Sequence, residues 1–531
     1  MDRMDPANTA HTAGAMPWED LVPAALLGTD RRGGAAPEAV LDAAAVHTVR
    51  RRAGLRAGAV AEPPEAAPPD ERARLPEPAR RRLGQLLAGR AAPAPAGGRR
   101  GAAPDVAELL PQWLAAAGRH GYKAPASALP ALLDAARART DLRPLALAFA
   151  GPRGLWLARQ NPEWRFALRG AAGGAALPPT DDTEQVRRLW DEGLFAERVA
   201  LLAAVRAEAP GAARELLAST WATERAEDRL MFLDSLRAGL SDADEDFLET
   251  ALTDRSRNVR ATAAGLLSAL PASALAARMA DRAASCIALD RTGDRTGDRS
   301  ALVVEAPHEC DAAMQRDGMV PTPPPGRGER SWWLGQLVES APLSCWPARL
   351  GGRSPAEIVA LPVADDWQPE LHAAWCRAAV RQGDAAWSRA LLGSPSTSSL
   401  AERAKLLATL EEDERADWVA GFVSAHGLSE AFQLLGVCAV PWAGPLGRAV
   451  VDALDIARDA GSYPWSFSGV MGLAERCLDP AAAPQLEALT TLATESEDAS
   501  PGAAGYWSEA FQRLVSTLRL RAAMHAELAA P

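Results

Sequence analysis

The chain has 531 residues, of which 48% are hydrophobic and 24% are charged. These values are typical of folded proteins, and the length allows two or more domains or one extended array of repeats. The formal net charge of −11 argues against a general nucleic-acid-binding protein, because such proteins carry a basic surface.

The cysteines and the hydropathy of the chain indicate its expected cellular location. The six cysteines are scattered along a large chain without a recognisable secretory signal, and we expect them to be thiols in a reducing cytosol. No run of 18 apolar residues occurs, so no membrane-spanning helix is predicted. We therefore expect a cytoplasmic protein with no membrane partner.

The basic residues are almost all arginine. Only two of the 57 basic residues, Lys123 and Lys405, are lysines. Alanine is abundant as well, and the combination is typical of GC-rich codon usage. The arginine content by itself is therefore no evidence for an arginine-based binding device.

The first third of the chain predicts a disordered start followed by a helical region. We expect residues 1–15 to be disordered, and residues 16–169 to form an N-terminal helical region interrupted by loops rich in Pro, Ala, Gly and Arg. Pro17 precedes the first helix and Gly28 is placed to end it. The predicted helices of this region span 18–27, 37–53, 76–88, 105–119 and 125–139.

A repeat with a period of 31 residues follows. Arg198, Arg229 and Arg260 are 31 residues apart. Each is followed by apolar or small residues at offsets of 3, 4 and 7, which share one face of an α-helix. Trp190 and Trp221 stand eight positions before the first two arginines and fall at core positions of the repeat.

This period predicts three stacked helical hairpins over residues 183–281. In the third hairpin, Ser241 and Ser256 are the expected helix N-caps. Asp254 lies in the turn between the two helices, within reach of neighbouring amides or of Arg260. We expect the arginines to hold adjacent turns together while their stems cover apolar surface. The set named here the repeat ladder comprises Trp190, Arg198, Trp221, Arg229, Asp254 and Arg260.

Residues 282–330 interrupt the helical pattern. A tandem run of turn-forming residues at 290–298 precedes Ala301–Val304, the best strand candidate, and Met319-Val320 is its expected partner. We therefore predict a turn-rich segment with a small β-hairpin inserted in a helical protein. Residues 331–531 predict a C-terminal helical region. Its helices are expected at 331–339, 369–381, 399–409, 413–425, 445–459, 482–493 and 505–527.

The third hairpin resembles a HEAT repeat. The resemblance rests on the turn residue Asp254, on Val259-Arg260, and on the small and leucine positions that follow, Ala263-Ala264 and Leu267. It implies an all-α fold of the HEAT-like α-solenoid, or α-α superhelix, type.

More of the chain resembles an uncharacterised bacterial family of HEAT-like proteins. The resemblance rests on the opening Trp18-Glu19-Asp20 and 25–31 segments, on the repeats, and on the turn Arg316-Asp317-Gly318. Members of that family are similar to components of gene clusters that also encode a SWIM zinc-finger protein, a MoxR-type ATPase and a von Willebrand A-domain protein. The resemblance implies protein partners, the MoxR-type ATPase or the von Willebrand A-domain protein among them, and no catalytic residues.

Tryptophan supplies the candidate binding residues. The chain has 16 tryptophans, an unusual number. Trp and Arg are enriched at binding hot spots, so exposed tryptophans of the second half would favour a protein partner, whereas buried ones would be packing residues. The candidate partner-binding residues are Trp332, Trp333, Trp367 and Trp375.

Two His–Cys pairs carry metal-ligand atoms. His308 and Cys310 are two residues apart, and His372 and Cys376 are four apart on one helical face. Together they would make a Cys₂His₂ zinc site only if the fold brought them together. Neither spacing is a known zinc-finger pattern, and we expect no metal.

Catalytic and cofactor motifs are not evident. The acidic residues Asp242, Asp244, Glu245 and Asp246 are expected to be a solvated helix start, because carboxylates are favourable in the first turn. Neither a GxxxxGK[ST] phosphate loop nor a GxSxG nucleophile motif occurs, and 151–154 lacks the strand–loop–helix context of a phosphate site. We expect no catalytic residue and no cofactor.

The sequence favours a non-enzymatic cytoplasmic scaffold or adaptor that presents a curved helical surface to protein partners. The alternative is a HEAT-like nucleic-acid-binding or DNA glycosylase-like protein. That alternative predicts a free basic face built from Arg198, Arg229 and Arg260, or from the arginines at 50–56.

Overall fold

A computed structural model describes residues 16–29, 36–52, 65–89, 106–170, 178, 180–290, 300–394, 396–397, 399–490 and 502–529. These residues contain 26 α-helices and two two-stranded sheets, so the predicted all-α fold class is confirmed. The predicted disorder of residues 1–15 concerns a segment outside the described residues. The chain divides into two compact units, Met1–Ala67 and Pro68–Pro531.

Unit one is a pair of helices. Helix α1 (Trp18–Leu27) ends at Gly28, whose φ of 82° suits glycine, and α2 (Pro37–Arg52) contacts α1. Leu21 and Ala43 are its buried residues. Both helices and the end of the first at glycine agree with the sequence prediction.

Unit two begins with five helices and a short sheet. Strand β1 (Ala73–Arg74) pairs in parallel with β2 (Tyr122–Lys123). The rings of Trp113 and Phe149 meet edge to face in the core, with centroids 5.6 Å apart. The helices are α3 (Glu77–Gly89), α4 (Val106–Arg119), α5 (Leu129–Ala138), α6 (Arg143–Gln160) and α7 (Arg165–Gly170).

The repeat region consists of successive helix pairs. Of the nine residues at offsets 3, 4 and 7 from the repeat arginines, all but Ala264 are buried, which confirms the predicted apolar face. The helices are α8 (Thr183–Glu192), α9 (Phe195–Glu208), α10 (Pro210–Thr220), α11 (Ala226–Ser235), α12 (Glu245–Ala251), α13 (Arg257–Leu267) and α14 (Ala274–Cys286). The pairs α8/α9, α10/α11 and α12/α13 carry the 31-residue period, and α9, α11 and α13 contact one another in sequence order.

Ser241 and Ser256 occupy the predicted N-cap positions of the third pair, and Ser241 forms a capping box with Asp244. The Ser256 side chain makes no capping hydrogen bond, and its N–H instead donates to Asp254 Oδ1 at 2.7 Å. The N–H of Ser241 donates to Asp244 Oδ2 at 3.1 Å. A carboxylate accepts more strongly than a hydroxyl, so the nearby aspartates organise both helix starts.

The predicted β-hairpin exists, but its partner strand was wrongly assigned. Ala301–Val304 (β4) pairs antiparallel with Ile287–Asp290 (β3), not with Met319-Val320. Because α14 runs directly into β3, the nearby β4 folds back onto it. The N–H of Val320 donates to Gln336 Oε1 at 2.8 Å instead. Apart from Asp290, the predicted turn at 290–298 lies outside the described residues.

The last third of unit two is helical again. A helix is found at each of the seven predicted positions, and α17, α18, α20 and α24 were not predicted. The helices from the hairpin onward are α15 (Ala312–Arg316), α16 (Glu329–Ser340), α17 (Cys345–Arg349), α18 (Pro355–Val359), α19 (Gln368–Gln382), α20 (Ala385–Leu392), α21 (Leu400–Leu407), α22 (Glu412–Leu435), α23 (Gly444–Asp459), α24 (Ser468–Cys477), α25 (Ala483–Ala488) and α26 (Ala503–Ala529).

The final helix returns to the start of unit two. Met524 and Leu528 of α26 are buried in the core formed by α3 to α6. Arg82 pairs with Glu527 at 2.6 Å, and the Tyr122 hydroxyl donates to the carbonyl oxygen of Leu528 at 3.0 Å. The first and last helices of unit two therefore share one core. Within the described ranges, no helix is both long and apolar enough to cross a bilayer.

Candidate functional site

Two arginines of the repeat ladder bridge successive helix pairs. The Arg198 guanidinium lies 4.4 Å from the Trp190 ring centroid and forms an ion pair with Glu224. Arg229 repeats the arrangement one period later. Its guanidinium lies 5.5 Å from the Trp221 ring centroid, and its Nε lies 3.0 Å from Asp254 Oδ2. In both cases the acidic partner follows about one helix pair later in the chain.

The third arginine of the ladder is held differently. Arg260 Nη1 donates to the carbonyl oxygens of Asp254 at 2.7 Å and Arg255 at 3.1 Å, both in its own turn. The position 25 residues beyond Arg260 is Ser285, so the chain offers no carboxylate there. The bridging pattern therefore ends with the last repeat.

These contacts bear on the basic face that a nucleic-acid-binding protein would need. Carboxylates offset the charges of Arg198 and Arg229, and Arg260 Nη1 donates to carbonyl oxygens, so these three side chains do not together form a free basic face. In the other predicted cluster, Arg50–Arg52 are exposed at the end of α2, and Arg56 lies outside the described residues.

A fully buried ion pair of the repeats was missed by the sequence analysis. Arg206 is fully buried and pairs with Asp244, whose predicted role was that of a solvated helix start. Burial alone would raise the pKa of Asp244, but the hydrogen bonds and charge of Arg206 outweigh it, and the pKa lies below its ordinary value. The sequence contained one indication that Arg206 has a structural role in the repeats. Arg206 and Arg237 are 31 residues apart, which is the period of the repeat.

The four candidate tryptophans are mostly structural. The indole N–H of Trp332 donates to the carbonyl oxygen of Val320, and that of Trp333 to Pro321, each at 2.8 Å. Trp332 and Trp367 are half-buried, and Trp333 is buried.

Trp375 corrects the prediction most clearly. It is fully buried, and its ring lies 5.9 Å from that of Trp346 and 5.3 Å from that of Trp387. A partner cannot reach a ring inside this aromatic cluster, so Trp375 is a packing residue. The Trp332–Trp333 pair fastens the 320–321 loop to α16.

The two His–Cys pairs do not form a metal centre. His308 is exposed and Cys310 half-buried, whereas His372 and Cys376 are buried in α19. Among the residues that the structure describes, no group of three or more His, Cys, Asp or Glu side chains is arranged to hold a metal ion. His372 Nδ1 contacts the hydroxyls of Ser394, at 3.3 Å, and Ser396.

The buried thiols are not poised for nucleophilic chemistry. Burial raises the pKa of Cys345, Cys376 and Cys438 to about 11. The thiolate is the reactive form, and at neutral pH these groups are protonated.

A candidate site that the sequence analysis did not identify lies between α24 and α26. It is a cavity of about 500 Å³, named here the aromatic pocket. Its lining comprises Pro464, Trp465, Ser468, Met471, Gly472, Glu475, Tyr506, Glu509, Ala510 and Arg513.

The walls of the aromatic pocket are built from rings that support one another. Trp465 stacks on Tyr463 with centroids 4.2 Å apart and planes 13° apart, and Tyr506 meets it edge-on at 5.1 Å. The Trp507 indole N–H donates to the carbonyl oxygen of Ser462 at 2.6 Å, which fastens this turn to α26. Trp465 nevertheless remains 55% exposed.

The charged groups of the pocket are one ion pair and one further carboxylate. Arg513 Nε lies 2.8 Å from Glu475 Oε1, so these two charges offset each other. Glu509 is exposed at the rim. The amino-acid composition contained one indication of this site. The chain has three tyrosines, and two of them, Tyr463 and Tyr506, contact Trp465 here.

Comparison with known proteins identifies a family and no activity. A family model described as "Family of unknown function (DUF5691)" matches residues 20–528. No curated protein and no solved structure matches the chain.

Proposed function

The chain belongs to the DUF5691 family, whose function is unknown, and we propose that it is a non-enzymatic cytoplasmic scaffold or adaptor that binds a partner protein at the aromatic pocket. The observation that carries the proposal is Trp465, which is 55% exposed although Tyr463 and Tyr506 hold its ring in place. An exposed, rigid aromatic ring offers a large contact area at a small cost in conformational entropy.

The pocket fits a basic side chain of the partner. The faces of Trp and Tyr rings attract a guanidinium or ammonium group, and the Glu509 carboxylate at the rim adds to this attraction. The net charge of −11 favours encounter with a basic surface. An arginine or lysine of the partner is therefore the proposed anchor.

The chemistry of the other described side chains supports binding more than catalysis. The arginines of the repeats are held by carboxylates or carbonyl oxygens, and the thiols of Cys376 and Cys438 have raised pKa values. Catalysis needs a poised nucleophile, acid or base at an accessible site. None of these groups meets that requirement.

The resemblance of the chain to an uncharacterised bacterial family of HEAT-like proteins suggests the first partners to test. They are a MoxR-type ATPase and a von Willebrand A-domain protein, proposed on that resemblance alone. The repeats would then form a stacked, curved support for the pocket, with partner binding by a preformed surface.

The test compares two exposed tryptophans. Full-length protein would be immobilised, and binding of the purified ATPase, of the von Willebrand A-domain protein and of a short arginine-containing peptide would be measured by surface plasmon resonance. Trp465→Ala should weaken binding about 30-fold, the usual effect of removing a hot-spot ring. Trp18→Ala is the matched control, because Trp18 is 57% exposed but lies in unit one.

Two results would count against the proposal. One is the absence of binding by both proteins and by the peptide. The other is an equal loss on Trp465→Ala and Trp18→Ala, which would mean that the pocket is not the binding surface.

A further inference from the structure

A second cavity, of about 620 Å³, lies near the start of unit two between the β1–β2 sheet, α3 and α6. We name it the basic cavity. Four basic residues line it: Arg74, Arg80, Lys123 and Arg153. It shares no lining residue with the aromatic pocket, so ligand binding in the basic cavity is independent of the proposed function.

The acidic residues of the basic cavity are already engaged. Both carboxylate oxygens of Asp70 accept hydrogen bonds from Arg72, at 2.9 and 2.8 Å. These hydrogen bonds hold the pKa of Asp70 below its ordinary value, although its partial burial opposes them. Glu77 pairs with Arg80 at 2.6 Å. The carboxylates therefore leave part of the positive charge of the lining unmatched.

Three cations of the lining have no carboxylate within ion-pair distance. Over the described ranges this holds for Arg74, Lys123 and Arg153, although Asp70 is near enough to Lys123 for the two charges to attract each other. Arg74 and Lys123 are direct partners in the parallel β1–β2 pairing, and both line the cavity. Like charges on directly paired strand positions repel each other, and a bound anion would remove that repulsion.

Lysine is rare in this chain, and one lysine lies here. Lys123 is one of only two lysines among 57 basic residues. It is half-buried, and its Nζ donates to the carbonyl oxygen of Asp70 at 2.5 Å. An ammonium group has three donors, so two can turn into the cavity. A compact ammonium is a good ligand for a phosphoryl oxygen.

A break in α6 brings the third cation to the cavity. Gly151 has a φ of 60° inside the helix, and a Cβ there would lie 2.1 Å from Arg72 Nη2. The Arg72 guanidinium occupies the break and donates to the carbonyl oxygens of Ala148, at 2.7 Å, and Phe149, at 3.1 Å. Arg153 follows directly after the break and lines the cavity.

We infer that the basic cavity binds a small, non-aromatic anion that carries phosphoryl groups, such as pyrophosphate or a sugar phosphate. The volume lies in the range of small-molecule sites. Among the described residues that line the cavity none is aromatic, so they offer a nucleobase no ring to stack on. The Ser127 hydroxyl adds a neutral donor beside the cations.

Calorimetric titration of the full-length chain with inorganic pyrophosphate at low ionic strength tests this inference. Wild-type protein should bind one pyrophosphate. Lys123→Gln and Arg153→Gln should each weaken binding about tenfold or more, because each removes a charge-assisted contact. Lys405→Gln is the matched control: it removes the other lysine, which is exposed on α21, and should leave affinity unchanged.

Lys123→Gln also removes the hydrogen bond from Lys123 to the carbonyl oxygen of Asp70. If that loss destabilises the fold, the Arg153→Gln variant still tests the inference. Titrations with ATP and with a DNA duplex separate the possible ligand classes. The inference is overturned if pyrophosphate does not bind, or if Lys405→Gln weakens binding as much as Lys123→Gln. It is also overturned if ATP binds more than 100-fold tighter than pyrophosphate, or if the duplex binds in a Lys123-dependent way while pyrophosphate does not.

Discussion

Arg206 Nη2 lies 2.6 Å from Asp244 Oδ2, and neither side chain exposes any surface to solvent. All the N–H groups of the guanidinium are used, because it also donates to the carbonyl oxygens of Pro210, Leu236, Ala238 and Gly239. The pair connects α9 of the first helix pair to the start of the third. Arg214 of α10 also lies 3.2 Å from Asp244 Oδ1, so this carboxylate joins three repeats.

Removing one charge of this pair should destabilise the fold strongly. Asp244→Asn leaves the Arg206 charge buried without a counter-charge, and we expect the free energy of unfolding to fall by about 3–5 kcal/mol. Urea denaturation followed by circular dichroism measures the change. Asp234→Asn is the control: Asp234 pairs with Arg237 at 2.6 Å on the surface, and its loss should cost less than about 1 kcal/mol.

An effect of Asp244→Asn on the free energy of unfolding that is no larger than the effect of Asp234→Asn would contradict this explanation.

Gly151 should resist substitution. Gly151→Ala places a side chain at a φ of 60° and within 2.1 Å of Arg72 Nη2, so we expect a loss of about 1–3 kcal/mol in the free energy of unfolding. Gly84→Ala provides the control. Gly84 lies inside α3 with open space around it, and alanine there should stabilise the protein by about 0.5–1 kcal/mol. Equal effects of both substitutions on thermal unfolding would refute the strain at the α6 break.

Acid should destabilise the protein partly through His372. Burial lowers the pKa of His372 in the folded chain, whereas the unfolded chain has the ordinary value of about 6.5. Between these two values the unfolded chain binds more protons, so stability falls as the pH falls through this window. His372→Asn should make the free energy of unfolding less dependent on pH between about 7.5 and 5.5. An unchanged pH dependence in His372→Asn would contradict this prediction.

Thiol reactivity should report burial. With their pKa raised to about 11, Cys376 and Cys438 have roughly 100-fold less thiolate at pH 8 than ordinary cysteines. Alkylation followed by peptide mass spectrometry should therefore find both slow to react in native protein. Both should react rapidly in 6 M guanidinium chloride. Rapid native labelling of Cys376 would show that α19 opens readily.

The helices with a clear apolar period and the buried face of the repeats were predictable from the order of the residues alone. These features depend on residues three, four and seven positions apart, which lie together in any α-helix. The expected core position of Trp190 and the buried residues that follow Arg198, Arg229 and Arg260 are examples.

Contacts between residues far apart in the chain became visible only in the folded structure. Arg206 and Asp244 are 38 residues apart, and the basic cavity combines Arg74, Lys123 and Arg153 from three separate segments. Tryptophan shows the same limit, because Trp375 is buried while Trp465 is exposed, and local pattern did not separate them. Burial and pairing of a side chain depend on what the rest of the chain places against it, and that is settled by packing.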